Sequence, residues 1–182
     1  MKPIKSDKSG RNIHSPFIYR LVANVLFSPY PFYAFTEIEL ISKNNQESKN
    51  LQLIFRLINH FQFDQVYMLE IQDQNIKKIS RMAKSDIQIN SSENIKYEDK
   101  IANRNEYKRL VIINNSEKIL NKNLYPKTPE IWVLLDIKDL KTKECFTMLK
   151  TQKEVQVTIE LNQLGIVIFN EIFEKQNYVI KH

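Results

Sequence analysis

Glycine is scarce in this chain, with only Gly10 and Gly165 among 182 residues. In a nucleotide-binding turn, glycine lets the backbone approach the ligand closely because it carries no Cβ atom. Two glycines so far apart in sequence cannot form a glycine-rich loop. The common glycine-rich nucleotide-binding motifs are therefore excluded.

Cysteine and long apolar runs are nearly absent as well. The single Cys145 excludes an internal disulfide and a Cys-rich zinc site, and its apolar surroundings favour a buried thiol over a nucleophile. No apolar run approaches the roughly 20 residues of a membrane span. The polar start, MKPIKSDKSGRN, lacks the apolar core of a signal peptide. We therefore expect a cytoplasmic protein with no membrane partner.

The net charge is +6, from 27 Lys and Arg residues against 21 Asp and Glu residues. This excess of positive charge permits an anionic partner but does not require one. The lysines are spread along the chain, and the sequence contains no basic motif interleaved with aromatic residues. The pattern does not favour nucleic-acid binding, although an anion- or RNA-binding module stays an alternative interpretation.

The chain is predicted to form one domain, with a flexible arm at 1–12, a helical region at 13–61 and an α/β core at 62–182. Ser15 and Pro16 supply the N-cap and first residue of a helix, and apolar residues follow at helical spacing as far as Phe27. Two more helices are predicted in this region, at 35–44 and at 51–61.

Beyond residue 65 the sequence alternates between short apolar runs and helical segments, which is typical of a mostly parallel sheet in an α/β protein. The last 30 residues contain three apolar runs that predict antiparallel strands. The predicted parallel strands are 66–71, 86–90, 110–114 and 131–136, and the helices between and after them are 74–84, 94–105, 115–122 and 139–151.

Few side chains point to a reaction. The three histidines are far apart and lack a metal-binding spacing, and the place of His14 just before a helix favours a structural role. Glu70 and Asp136 end predicted strands, at the edge where open α/β sheets bind ligands. Each acid could accept a hydrogen bond from a ligand's ammonium or ribose, or it could cap the next turn. The sequence leaves both roles open.

A group of aromatic residues follows the first predicted helix. Their rings could stack on a ligand, but we favour a hydrophobic clasp that joins the N-terminal helices to the sheet. The group consists of Tyr30, Phe32, Tyr33 and Phe35.

Several motifs follow one another along most of the chain, namely IHSPFIYRLVANVL, PFYAFTEIE, LIFRLINHFQFDQVYMLEI and VTIELNQLGIVIFN. In this order they resemble a bacterial family of class I S-adenosylmethionine (SAM)-dependent methyltransferases. The resemblance implies a Rossmann-like sheet of about seven strands whose last strand is antiparallel, preceded by an N-terminal helical cap.

The resemblance also identifies the turn at which the family docks SAM, directly after the first core strand. Glu70 matches the family's acid at the end of that strand. Gln72, Asp73 and Gln74 stand where the family has glycines. The resemblance therefore implies that these side chains, and the negative charge of Asp73, obstruct the backbone approach that the cofactor requires.

Three further turns depart from the family in the same way. Asn90 stands where the family has the acid that binds the ribose, and Asn114 begins an Asn-Asn pair where the family has aspartate and glycine. Asp136 follows Leu135 where the family has two consecutive aspartates. The apolar pattern of the core is kept at the same time. The vestigial cofactor site implied by the resemblance comprises Glu70, Gln72, Asn90, Asn114 and Asp136.

We therefore expect a methyltransferase-like protein that binds SAM weakly or not at all, is not catalytic, and acts by associating with itself or with an active relative. The alternative is an active SAM-dependent methyltransferase with an unorthodox cofactor pocket. No catalytic residue can be named on either interpretation.

Overall fold

The computed structural model describes residues 3–69, 71, 73–92, 107–114, 125–126 and 129–180. Within these residues the chain forms one sheet of eight strands in the order β1-β8-β6-β7-β5-β4-β2-β3. The strands are Ile4–Ser6 (β1), Gln65–Leu69 (β2), Gln88–Ser92 (β3), Arg109–Ile113 (β4), Glu130–Leu134 (β5), Val157–Glu160 (β6), Gly165–Phe169 (β7) and Gln176–Ile180 (β8). The predicted α/β class and mostly parallel sheet are confirmed.

The prediction of antiparallel strands at the C-terminus is correct only for β7, which is antiparallel to both β5 and β6. The last strand, β8, does not pair with β7. It lies on the far side of β6 and runs parallel to it, so that Ile159 is paired with Tyr178. After β7 the chain crosses over β6, so β8 pairs with β6 and does not form a second hairpin with β7.

The edge strand β1 was not predicted, and it lies inside the segment 1–12 for which we expected a flexible arm. Ile4 pairs with Tyr178, and Ser6 pairs with Ile180. A three-residue strand is too short to show the alternation by which strands are recognised in sequence.

The described helices are Pro16–Arg20 (α1), a π-helix at Leu21–Leu26, Phe35–Ile41 (α2), Asn45–Phe61 (α3), Gln74–Ala83 (α4) and Leu140–Thr151 (α5). The helices predicted at 94–105 and 115–122 lie outside the described residues. As predicted, Ser15 is the N-cap of α1 and accepts a hydrogen bond from the Ile18 backbone N–H, with Pro16 as the first helical residue.

Helix α3 begins six residues before the position predicted from its apolar face. The polar segment before Leu51, which reads as a break in the sequence, forms the first turns of the helix. The Asn44 side chain accepts a hydrogen bond from the backbone N–H of Glu47 at 2.9 Å, and the Glu47 carboxylate accepts one from the N–H of Lys43 at 2.6 Å. This reciprocal arrangement is close to a capping box and fixes the start of the helix.

The two faces of the sheet are covered by different helices. On one face, side chains of α1, the π-helix, α2, α3 and α4 form the larger core with strand residues such as Val66, Leu110 and Ile131. On the other face, α5 packs with a smaller cluster centred on Trp132 and Phe169. Burial on both faces explains the near-continuous apolar runs of the central strands.

Candidate functional site

The carboxyl ends of β2, β3, β4 and β5 lie together at one edge of the sheet. Leu69 is paired with Ser92 on one side and with Ile113 on the other, and Ile113 is paired in turn with Leu134. Ligands of open parallel sheets bind at this edge. It is therefore the place to examine the residues expected to line a cofactor site.

The turn between β2 and α4 contains Glu70 and Gln72, and these two residues lie outside the described part of the chain. Asp73 is the N-cap of α4. Its carboxylate accepts hydrogen bonds from the backbone N–H groups of Asn75 at 2.7 Å and Ile76 at 3.4 Å. An acid at this position satisfies free N–H groups and opposes the positive end of the helix dipole. The N–H groups of the second and third residues of α4 are thus already bound to an anionic side chain.

Asn90 does not lie at the end of its strand, as the sequence led us to expect. It is the third of five residues in β3, where it is paired with Tyr67, and the strand continues to Ser92. The polar sequence INSS hides this continuation, because the last residues of β3 lack the apolar character used to recognise a strand. The strand therefore ends at Ser92, two residues after Asn90.

Asn114 follows β4 directly, as predicted, and is exposed at the carboxyl edge. Its carbonyl oxygen lies 3.5 Å from the hydroxyl of Thr142, which is buried on α5. The Thr142 hydroxyl also approaches the Asp139 carboxylate at 3.3 Å. The polar groups next to Asn114 are therefore engaged in holding α5 to the end of β4.

Asp136 is also exposed at this edge, two residues after β5 ends. It adopts a left-handed backbone conformation with φ of 53°, which aspartate tolerates better than most residues. The side chain that caps the following helix belongs to Asp139, whose carboxylate accepts a hydrogen bond from the Thr142 backbone N–H at 3.1 Å. The capping role that the sequence left open for Asp136 thus falls to Asp139.

The structure therefore brings Asn114, Asp136 and the turn that contains Asp73 to one edge of the sheet, and it places Asn90 inside a strand. Two capping acids, Asp73 and Asp139, were not identified from the sequence as the residues that close these turns. An acid directly before the first residue of a helical segment was the signal that could have identified them.

Three further candidates, Cys145, Phe32 and Phe35, are structural. Cys145 is buried, as predicted. The rings of Phe32 and Phe35 lie 5.3 and 6.0 Å from that of Phe55 on α3 and 5.5 Å from each other, against the larger core. This agrees with packing rather than stacking on a ligand, although the partner is α3 and not a strand. Tyr30 is 76% exposed.

The described residues contain no group of three or more His, Cys, Asp or Glu side chains that could hold a metal ion. In the same part of the chain, no helix has the length and apolar character needed to cross a membrane.

A scan against protein-family models and a search of curated proteins both found no match to this chain. The fold defines an α/β protein with a Rossmann-like, mostly parallel sheet. The likeness to methyltransferases rests on the sequence motifs alone.

Proposed function

We propose that this chain is a class I methyltransferase-like protein with a degenerate SAM site, and that it acts by protein association without catalysis. Support for the likeness comes from the four sequence motifs and from a mostly parallel sheet that contains one antiparallel strand near its C-terminal end, β7. Such a sheet is compatible with the family's fold but is shared with other Rossmann-like proteins.

The observation that carries the degenerate-site proposal is the cap formed by Asp73. By the resemblance, the methionine part of SAM would dock at the turn before α4, and its carboxylate would need hydrogen-bond donors there. The N–H groups of Asn75 and Ile76, the second and third residues of α4, instead bind the Asp73 carboxylate. A second carboxylate placed there would meet like-charge repulsion, which disfavours binding. The residues present therefore do not fit the group.

Both glycines are used in packing instead of in a ligand turn. A Cβ atom at Gly165 would lie 2.7 Å from the Phe146 ring, and one at Gly10 would lie 2.7 Å from the Tyr19 ring. Gly10 also has φ of +76°, a conformation for which glycine is favoured. Neither glycine is free to replace the missing cradle.

The association half of the proposal draws on exposed apolar side chains in the segment before and within α2. Tyr30, Tyr33 and Leu40 are 76%, 80% and 81% exposed. The Tyr33 ring is held in place by an edge contact with Phe55 and by a hydrogen bond from its hydroxyl to the Met82 carbonyl at 2.9 Å. A fixed exposed ring and an exposed leucine within one segment suit a protein contact, because a ring that is already held in place loses little side-chain entropy on binding.

Sedimentation velocity of the full chain over a range of concentrations tests self-association. We expect a dimer that Leu40→Asp dissociates and that Ile172→Asp leaves intact, since Ile172 is similarly exposed at 68% but lies in the connection after β7. A monomer at every concentration would contradict self-association, and an active methyltransferase would then be the partner to test by co-sedimentation. The cofactor half of the proposal has a separate readout, the binding of SAM to the chain.

A further inference from the structure

A cavity of about 480 Å³ lies between the end of the π-helix, helix α3 and the turn that joins β6 to β7. Its volume falls in the range of roughly 300–1,000 Å³ that is typical of small-molecule sites. It is lined by apolar side chains at its base, among them Leu26, Leu53 and Leu164, and by polar side chains around them. The described residues that the resemblance assigns to SAM binding, namely Asn90, Asn114 and Asp136, do not line it.

The charged residues of this cavity are all cationic. Lys8, Lys49 and Arg56 line it, and no acidic residue is among the described residues of its wall. Lys8 and Lys49 are exposed and form no ion pair with a described residue. The carboxylate of the neighbouring Asp7 accepts hydrogen bonds from the backbone and side chain of Ser9 and forms no ion pair with Lys8. The two ammonium groups are therefore free to meet an anion.

Arg56 adds a positive charge that neutral groups hold in place. Its guanidinium donates hydrogen bonds to the carbonyls of Leu26 at 3.1 Å and Ser28 at 3.0 Å, and it lies 4.9 Å from the centre of the Phe35 ring. Its Nε atom is buried and finds no acceptor among the described residues. Burial also holds the pKa of Arg56 below its usual value. An anion in the cavity would relieve the cost of keeping this charge away from water.

The rest of the polar wall consists of uncharged groups. Amide side chains supply both hydrogen-bond donors and acceptors, which suits a ligand that carries hydroxyl or amide groups beside its charge. These side chains are Gln46, Asn50, Gln52, Asn162 and Gln163.

We propose that this cavity binds a small phosphorylated molecule whose phosphate contacts Lys8 and Lys49 in the field of Arg56. Three cations match the dianionic charge of a phosphate monoester better than the single charge of a carboxylate. A polynucleotide fits less well, because single-stranded nucleic acid is bound along extended basic grooves with exposed aromatic rings. The proposal does not depend on whether the chain binds SAM.

Calorimetric titration with adenosine monophosphate and glucose 6-phosphate tests the proposal, with adenosine and glucose as uncharged matches. We expect saturable binding of at least one phosphate and none of its uncharged match. The variant Lys8→Gln/Lys49→Gln should weaken binding by about tenfold or more, as expected for lost charge-assisted hydrogen bonds. The matched control is Lys77→Gln/Lys143→Gln, which removes the same charge from α4 and α5, and it should leave binding unchanged.

Two outcomes would overturn the proposal. One is that neither phosphate binds saturably to the parent chain. The other is that both double variants weaken binding equally, which would show general attraction of anions to a basic protein. Because Lys8 and Lys49 are exposed side chains without ion pairs among the described residues, both double variants should melt like the parent, and a melting curve of each verifies this. As a further variant, Arg56→Lys should weaken phosphate binding while keeping a positive charge on α3.

Discussion

The backbone of Gly165 lies directly against the ring of Phe146, so that a Cβ atom at Gly165 would lie 2.7 Å from two of the ring carbons. Phe146 belongs to α5 and is 2% exposed, and Gly165 is the first residue of β7. This contact lets α5 approach the sheet where β5, β6 and β7 meet. A side chain at residue 165 would have to displace the Phe146 ring, which is buried in the core.

We predict that Gly165→Ala destabilises the protein by about 1–3 kcal/mol, the usual cost of overpacking a core. Phe146→Leu in the same chain should restore part of this loss, because the smaller side chain makes room for the new methyl group. Urea unfolding of the parent, the two single variants and the double variant gives the coupling between the residues. Additive effects of the two substitutions would contradict the contact.

Removal of the Asp73 cap should weaken α4. Asp73→Ala leaves the N–H groups of Asn75 and Ile76 without their acceptor, and the expected loss is about 1 kcal/mol in the free energy of unfolding. Asp73→Asn keeps the hydrogen-bond acceptor and loses only the charge, so it should cost less. If urea unfolding gave the same stability for the alanine variant and the parent, the cap would contribute nothing to the fold.

Phe17 links α1 to residues far along the chain. Its ring lies 4.7 Å from the ring of Phe173, 6.0 Å from that of Tyr107 and 6.2 Å from that of Phe61. Because Phe17 is only partly buried, Phe17→Ala should cost about 3 kcal/mol, the lower end of the range for aromatic truncation. His14→Ala, at an exposed neighbouring position, is the control and should leave the melting temperature unchanged. Equal melting temperatures for the two variants would show that these ring contacts are peripheral.

Tyr107 should make the protein sensitive to alkaline pH. Burial raises the pKa of Tyr107 from 10.0 to about 12, while the hydrogen bond from the Asn170 side chain acts in the opposite direction. Above pH 10 the unfolded chain loses this proton and the folded chain keeps it, so stability falls as pH rises. The loss is about 3 kcal/mol across the whole interval, of which about half is complete at pH 11.

Urea unfolding at pH 8 and pH 11 measures this effect by comparing the parent with Tyr107→Phe. The other described tyrosines with raised pKa values, Tyr125 and Tyr178, are present in both proteins and cancel in the difference. We expect the variant to lose less stability than the parent between the two pH values. Parallel losses would show that Tyr107 titrates normally.

The central strands could be predicted from the sequence because both faces of the sheet are covered. Strands such as Arg109–Ile113 and Glu130–Leu134 are almost entirely buried, so their apolar runs are unbroken and easily recognised. The start of α3 could not be found in the same way, because the helix begins with polar residues whose order is set by the contacts of Asn44 and Glu47.

Other features depend on contacts that a local pattern does not contain. The π-helix is defined by a bond from the Phe27 N–H to the Val22 carbonyl, five residues earlier, yet its apolar spacing matches that of an ordinary helix. The cationic cavity brings Lys8, which follows β1, together with Lys49 and Arg56 of α3, and no local pattern connects these parts of the chain. Asn114 and Asp136 were placed at the sheet edge because the ends of their strands are visible in sequence, and Asn90 was misplaced because the end of β3 is polar.

The most direct test of the proposed degenerate cofactor site is calorimetric titration of the full chain with SAM and with its demethylated product at near-neutral pH. The carboxylate of Asp73 occupies the N–H groups of Asn75 and Ile76 at the start of α4. The charge-assisted hydrogen bonds that the carboxylate of SAM would form there are then lost, and this loss alone costs about tenfold to a hundredfold in affinity. We expect no binding tighter than the millimolar range for either compound. A micromolar dissociation constant for SAM would contradict the degenerate site and favour an active methyltransferase with an unorthodox pocket.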